Sequence, residues 1–120
     1  MDTNWVEAYC AGKKGAVRVY QEEWECWLYR VGDKMFLMDG GDKEEKPILT
    51  VKLEPGWGQV LRQEYPDVVV PGYYMNKQHW NSVYTAGEFP EKLMKEMIDQ
   101  SYALILGSLP KKRQREITGE

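Results

Sequence analysis

With 120 residues, 42% of them apolar and 29% charged, the chain suits one folded domain that can bury a core without disulfide or metal staples. Its net charge of −3 argues against indiscriminate nucleic-acid binding, and no run approaches the roughly 20 apolar residues of a membrane helix. Cys10 and Cys26, without a CxxC pair or a secretion-type leader, read as free buried thiols in a reducing cytoplasm rather than a secreted disulfide scaffold.

Trp5, Val6, Tyr9 and Cys10 recur at helical spacing and predict a short helix over 3–11, ended by Gly12 and followed by the basic turn 12–15. Val17 and Val19 alternate with Ala16 and Arg18 as a short strand. Over 24–31 the alternation is clearer, with Trp24, Cys26 and Leu28 on one side and Glu25, Trp27 and Tyr29 on the other. Gly32-Asp33-Lys34 turns the chain into a strand over 35–38, and the polar, glycine-containing segment 39–46 reads as an exposed loop. A third clear strand runs from Ile48 to Leu53.

Pro55 suits the first position of a helix over about 55–65, whose stripe is Trp57, Val60, Leu61 and Tyr65 and whose stop is Pro66. Val68 to Val70 form a short extended run, and 82–86 the last strand. Pro90 opens a helix over about 90–106, in which Leu93, Met94, Met97, Ile98, Ser101, Tyr102, Ile105 and Leu106 trace one stripe and i,i+4 charge pairs line the other side. Residues 1–110 thus read as a single domain and 111–120 as a basic polar tail too polar to pack by itself. The order implies an α+β fold, a mostly antiparallel sheet with helices packed on one face.

Catalytic machinery is not legible. His79 is the single histidine, and with two cysteines it gives too few ligands for a structural zinc site, so neither metal nor cofactor is expected. There is no GxSxG elbow, phosphate loop or GxGxxG turn, which argues against an enzyme. Two segments could form a contact surface. In Pro71 to Val83, Lys77 would meet phosphate, Trp80 or Tyr74 would stack on a base, and Asn76 or His79 would hydrogen-bond a base edge. The competing reading is a structural corner with Trp80 in the core and His79 and Asn76 tying down the backbone. In the tail, Lys111, Lys112, Arg113 and Arg115 resemble either a phosphate-binding cluster or a frayed solubilising end.

These segments resemble the MmcQ/YjbR family of small bacterial proteins. Pro71-Gly72-x-x-Met75-Asn76-Lys77-x-His79-Trp80-x-Ser82-Val83 is similar to its central signature, and Arg30-Val31-Gly32-Asp33-Lys34-Met35-Phe36 to its first hairpin. Leu61-Arg62-x-x-Tyr65-Pro66, Asp99-x-Ser101-Tyr102 and Leu109-Pro110-Lys111-Lys112 extend the match over about residues 28 to 113. Residues 16–27 depart from it, with Tyr20-Gln21-Glu22-Glu23-Trp24 in place of an aromatic-glycine turn. The resemblance implies a frataxin/CyaY-like fold and a non-enzymatic, DNA-binding and regulatory protein. It maps that role to Lys77, His79 and Trp80, with the basic tail of Lys111, Lys112, Arg113 and Arg115 as a helper; Asn76 joins the candidates through its side-chain chemistry. The alternative is a protein-interaction or small-ligand-binding domain. A monomer is favoured.

Overall fold

A computed structural model describes residues 1–72 and 75–119. In chain order the elements are α1 (Val6–Ala11), β1 (Val17–Gln21), β2 (Cys26–Val31), β3 (Lys34–Gly41), β4 (Pro47–Lys52), α2 (Pro55–Glu64), β5 (Val69–Pro71), β6 (Trp80–Tyr84), α3 (Glu91–Gly107) and α4 (Lys111–Thr118). The strands form one six-stranded sheet in the order β1-β2-β3-β4-β6-β5, and each neighbouring pair is antiparallel. The α+β architecture with helices on one face is therefore as the periodicity predicts.

Alternation along the strands divides the sheet into two faces. Tyr29, Leu37, Leu49, Val51, Val69 and Val83 point to the helices and join Val6 and Cys10 of α1, Leu61 of α2, and Met94, Met97, Ile98 and Ile105 of α3 in one core. On the other face Cys26, Leu28 and Met38 form a small cluster with Met35 and Met75, to which no described helical residue contributes. Both cysteines are free and buried.

Three details lock α3 and α2 onto the sheet. The β2–β3 register jumps between Tyr29↔Leu37 and Arg30↔Met35, so Phe36 sits in a bulge outside the ladder. Ser101, fully buried in α3, donates its hydroxyl to the Phe36 carbonyl and accepts the Lys52 N–H at 2.9 Å. Beneath α2, a β-carbon at Gly58 would stand 3.0 Å from the Asn81 side-chain nitrogen, so the glycine is what lets helix and strand approach. Replacing Ser101 by alanine strands one N–H and one C=O and should lower the unfolding free energy by about 2 kcal/mol in a urea titration.

The thiol of Cys10 is pushed up to about 12 from 9.0 by burial. Tyr9 is also pushed up to about 12, first by burial and then by its hydrogen bond to the Asp99 carboxylate at 2.6 Å. Both acids stay protonated in the fold while the unfolded chain ionises near their ordinary values, so stability is retained below pH 9.0 and lost as pH climbs toward about 12. Melting temperatures should accordingly fall across that window, and a Cys10→Ala, Tyr9→Phe variant should fall less steeply.

Several boundaries differ from the sequence expectation, and the strand expected over 24–31 begins only at Cys26, because Trp24 and Glu25 lie in the β1–β2 turn with Glu25 at φ 52°. The first helix proper begins only at Val6, after a turn in which the Asp2 carboxylate accepts the Asn4 N–H. Strand β3 runs on to Gly41, because Asp39, Gly40 and Gly41 pair with Leu49, Ile48 and Pro47, which shortens the loop to 42–46. Strand β6 begins at Trp80, since Trp80 pairs with Lys52, and ends at Tyr84. Residues 111–118, expected as a polar tail, form α4. That helix docks by tertiary contacts: Ile117 packs into the space left by the missing side chain of Gly15, and the Gln114 amide donates to the carbonyls of Gly107 and Leu109.

Candidate functional site

Antiparallel pairing gathers the start of β1, the end of β2, the start of β3, the end of β4 and the start of β6 at one end of the sheet. Lys14 precedes β1, Arg30 and Lys34 flank the β2–β3 turn, Lys52 ends β4 and Lys77 precedes β6. Helix α4 lies across the same end. Its Arg113 reaches Asp33 of the β2–β3 turn at 4.0 Å, and Lys14 donates to the Thr118 carbonyl at 3.1 Å. With Lys111, Lys112, Arg113 and Arg115, at least nine cations stand at this end among the described residues, beside the carboxylates of Asp33, Glu54 and Glu116.

At the opposite end the balance reverses. The β1–β2 turn holds Glu22, Glu23 and Glu25, and the β3–β4 turn holds Asp42, Glu44 and Glu45 with Lys43 and Lys46. Glu64 ends α2, and Asp67 and Glu88 lie on the connections that finish there. The net charge of −3 thus conceals a polar molecule, cationic at one end of the sheet and acidic at the other.

Within the 75–80 segment the predicted residues have divided roles. The Asn76 side-chain oxygen accepts the Gln78 N–H at 2.9 Å, and its carbonyl accepts the Trp80 N–H at 2.9 Å. The His79 carbonyl accepts from Leu53 N at 2.7 Å and from the Asn81 amide at 3.3 Å, while its imidazole is half-buried. Trp80 is half-buried and packs against the main core. Lys77 is exposed. These contacts make Asn76, His79 and Trp80 a structural corner that presents Lys77; Tyr74 lies outside the described residues. In α4, Lys111, Lys112 and Arg115 are exposed, and Arg113 is half-buried between Asp33 and Glu116. Lys77 and α4 are not adjacent: the end of β4 separates the β2–β3 turn from β6, a span of two strand spacings, about 10 Å.

Arg62 is the residue that composition and motif reading passed over as a site member. From α2 its Nε donates to the Asn81 side-chain oxygen at 2.7 Å, and its terminal nitrogen donates to the carbonyls of Lys77 and Trp80. Burial lowers its pKa. One planar fork therefore holds the whole corner on which Lys77 stands. Among the described residues no group of three or more His, Cys, Asp or Glu could hold a metal ion. No helix among them is long and apolar enough to cross a membrane.

Comparison with known proteins places this geometry. A family model described as YjbR matches residues 11–104. YjbR of Escherichia coli strain K12, which bears the name of an uncharacterized protein, is 31% identical over 107 residues, 89% of each chain. YbdF of Escherichia coli O157:H7, named in the same way, is 31% identical over 99 residues, 77% of this chain and 80% of that one. Among solved structures, Deinococcus radiodurans protein DR2400, with a DUF419 domain, superposes with a TM-score of 0.84 at 27% identity, over 94% of this chain and 85% of that one. A Pseudomonas syringae protein shares the fold at 20% identity and a TM-score of 0.73, over 88% of this chain and 99% of that one.

Proposed function

The chain belongs to the YjbR family, and from that premise we propose that it is a non-enzymatic nucleic-acid-binding protein of the cytoplasm that meets the phosphate backbone with the cationic end of its sheet. The observation that carries this reading is the segregation of charge: at least nine cations among the described residues gather at one end of a molecule whose total charge is negative. A phosphate backbone attracts that end and repels the other, so the acidic total orients the encounter instead of preventing it. Exposed Lys77, Lys111, Lys112 and Arg115 are point contacts to phosphate, which position a duplex without reading its sequence. DNA is the favoured partner, with a regulatory role.

The test is titration of labelled duplex DNA, single-stranded DNA and RNA across a salt series. Binding at about 50 mM salt that weakens linearly on a log–log plot supports the reading. Absence of binding to all three at that salt replaces it with the protein-interaction or small-ligand reading, which the exposure of Trp24 (57%) favours. Lys77→Ala should flatten the salt slope by about one unit on duplex DNA. It should leave the melting temperature unchanged, because Arg62 holds the main chain there, not the lysine side chain.

A further inference from the structure

The β1–β2 and β3–β4 turns at the acidic end flank a groove of about 790 Å³ on the sheet face that carries the small Cys26, Leu28 and Met38 cluster. Buried Cys26 and Met38 make its floor. Gly40 keeps that floor low, since a β-carbon there would stand 2.6 Å from the Cys26 β-carbon. Met75 forms one wall and the largely exposed Trp24 stands at the mouth.

The rim is acidic. Asp42 is committed to its own turn: its carboxylate accepts the Glu44 and Lys46 N–H groups and the Tyr84 hydroxyl. Glu23, Glu25 and Glu45 have no ion pair or hydrogen bond to their carboxylates among the described residues, and Lys43 is the one cation among the described lining residues. Glu25 and Glu45 also occupy left-handed backbone, at φ 52° and 64°, where glycine or asparagine would sit more easily.

We propose that this groove binds a small organic cation with an apolar body. Its volume falls in the range of small-molecule sites, about 300–1,000 Å³. The sulfur-lined floor offers polarizable, conformable contact to hydrocarbon or aromatic surface but nothing to a strongly hydrated ion. Three unpaired carboxylates repel anions and attract a positive centre, and the Trp24 ring adds a cation–π face. Charge and apolarity together select a lipophilic ammonium or phosphonium ion over either a neutral hydrocarbon or an inorganic cation. The site lies at the opposite end of the sheet from the cationic cluster and does not depend on nucleic-acid binding.

Isothermal titration with tetraphenylphosphonium and its near-isosteric anion tetraphenylborate tests it. The expected result is one site that prefers the cation by at least about tenfold, roughly the weight of one favourable charge interaction in a half-buried setting. The combined Glu23→Gln, Glu25→Gln, Glu45→Gln variant should lose that preference, and Trp24→Ala should weaken cation binding about threefold. Trp24 is exposed, so this second variant reports on the site even if the triple variant folds poorly. Equal affinity for the two ions, wild-type cation affinity in a folded triple variant, or binding of penta-lysine without tetraphenylphosphonium would each overturn the proposal.

Discussion

Replacing Lys111, Lys112, Arg113 and Arg115 together by alanine should flatten the slope of log affinity against log salt on duplex DNA by about 3–4 units, at roughly 0.9 for each phosphate no longer neutralised. Arg113 already faces Asp33 and Glu116, so it contributes least and the lower figure is the closer expectation. The fold should survive the change. Helix α4 is held by Ile117, by the Gln114 amide and by Lys14 on the Thr118 carbonyl, none of which is altered. Alanine also suits an exposed helix, so a melting shift equivalent to about 0.5 kcal/mol or less is expected. An unchanged salt slope in this variant would remove α4 from the contact surface.

Arg62→Ala should lower the unfolding free energy by about 2–4 kcal/mol, because one deletion strands the buried Asn81 side-chain oxygen and removes a charged donor from the carbonyls of Lys77 and Trp80. Asn81 is fully buried, and Gly58 lies against it, so its side-chain oxygen depends on the guanidinium for a partner. Lysine cannot reproduce a planar fork that reaches Asn81, Lys77 and Trp80 together, and Arg62→Lys should recover less than half of the loss. Urea titration of the three proteins measures both numbers. A loss below about 0.5 kcal/mol, the size of an ordinary surface change, would mean that something else holds the corner. Freed from its anchor, Lys77 would also contribute less to phosphate binding, so Arg62→Ala and Lys77→Ala should flatten the salt slope by similar amounts.

The parts of this molecule that sequence reveals are those fixed by local pattern. The α3 stripe of Met94, Met97, Ile98 and Ser101 is a helical period written out, and Pro55 and Pro66 bracket α2. Gly32 and Asp33, both at positive φ, give the β2–β3 turn the geometry that their composition announces. What stays hidden depends on distant partners. Gly40 and Gly41 look like chain breakers, yet Ile48 and Pro47 pair with them. Lys111–Thr118 has too little apolar surface to predict a docked helix, and its apolar anchor is one isoleucine seated where Gly15 lacks a side chain. Arg62 reads as an ordinary cation near a helix C-terminus, and its three acceptors lie 15 to 19 residues further on.

Charge segregation was illegible for a related reason. Acids and cations intermingle along the chain, and only the alternating direction of the strands sorts them to opposite ends. The signature around Lys77 mixes two jobs, since the Asn76 side chain, the His79 carbonyl and the Trp80 indole shape the corner while the lysine faces solvent. Similarly, the glutamates of the β1–β2 turn are brought beside those of the β3–β4 turn only by the fold.

The most direct measurement is a nitrogen–proton correlation NMR titration of the intact protein with a short DNA duplex at low salt. Shifts should concentrate on the amides of Gly32, Lys34, Lys77 and the first turn of α4, with the turns 22–25 and 42–46 unmoved. Shifts that map to those two acidic turns, or no shifts at any duplex concentration, would contradict a phosphate contact at the cationic end.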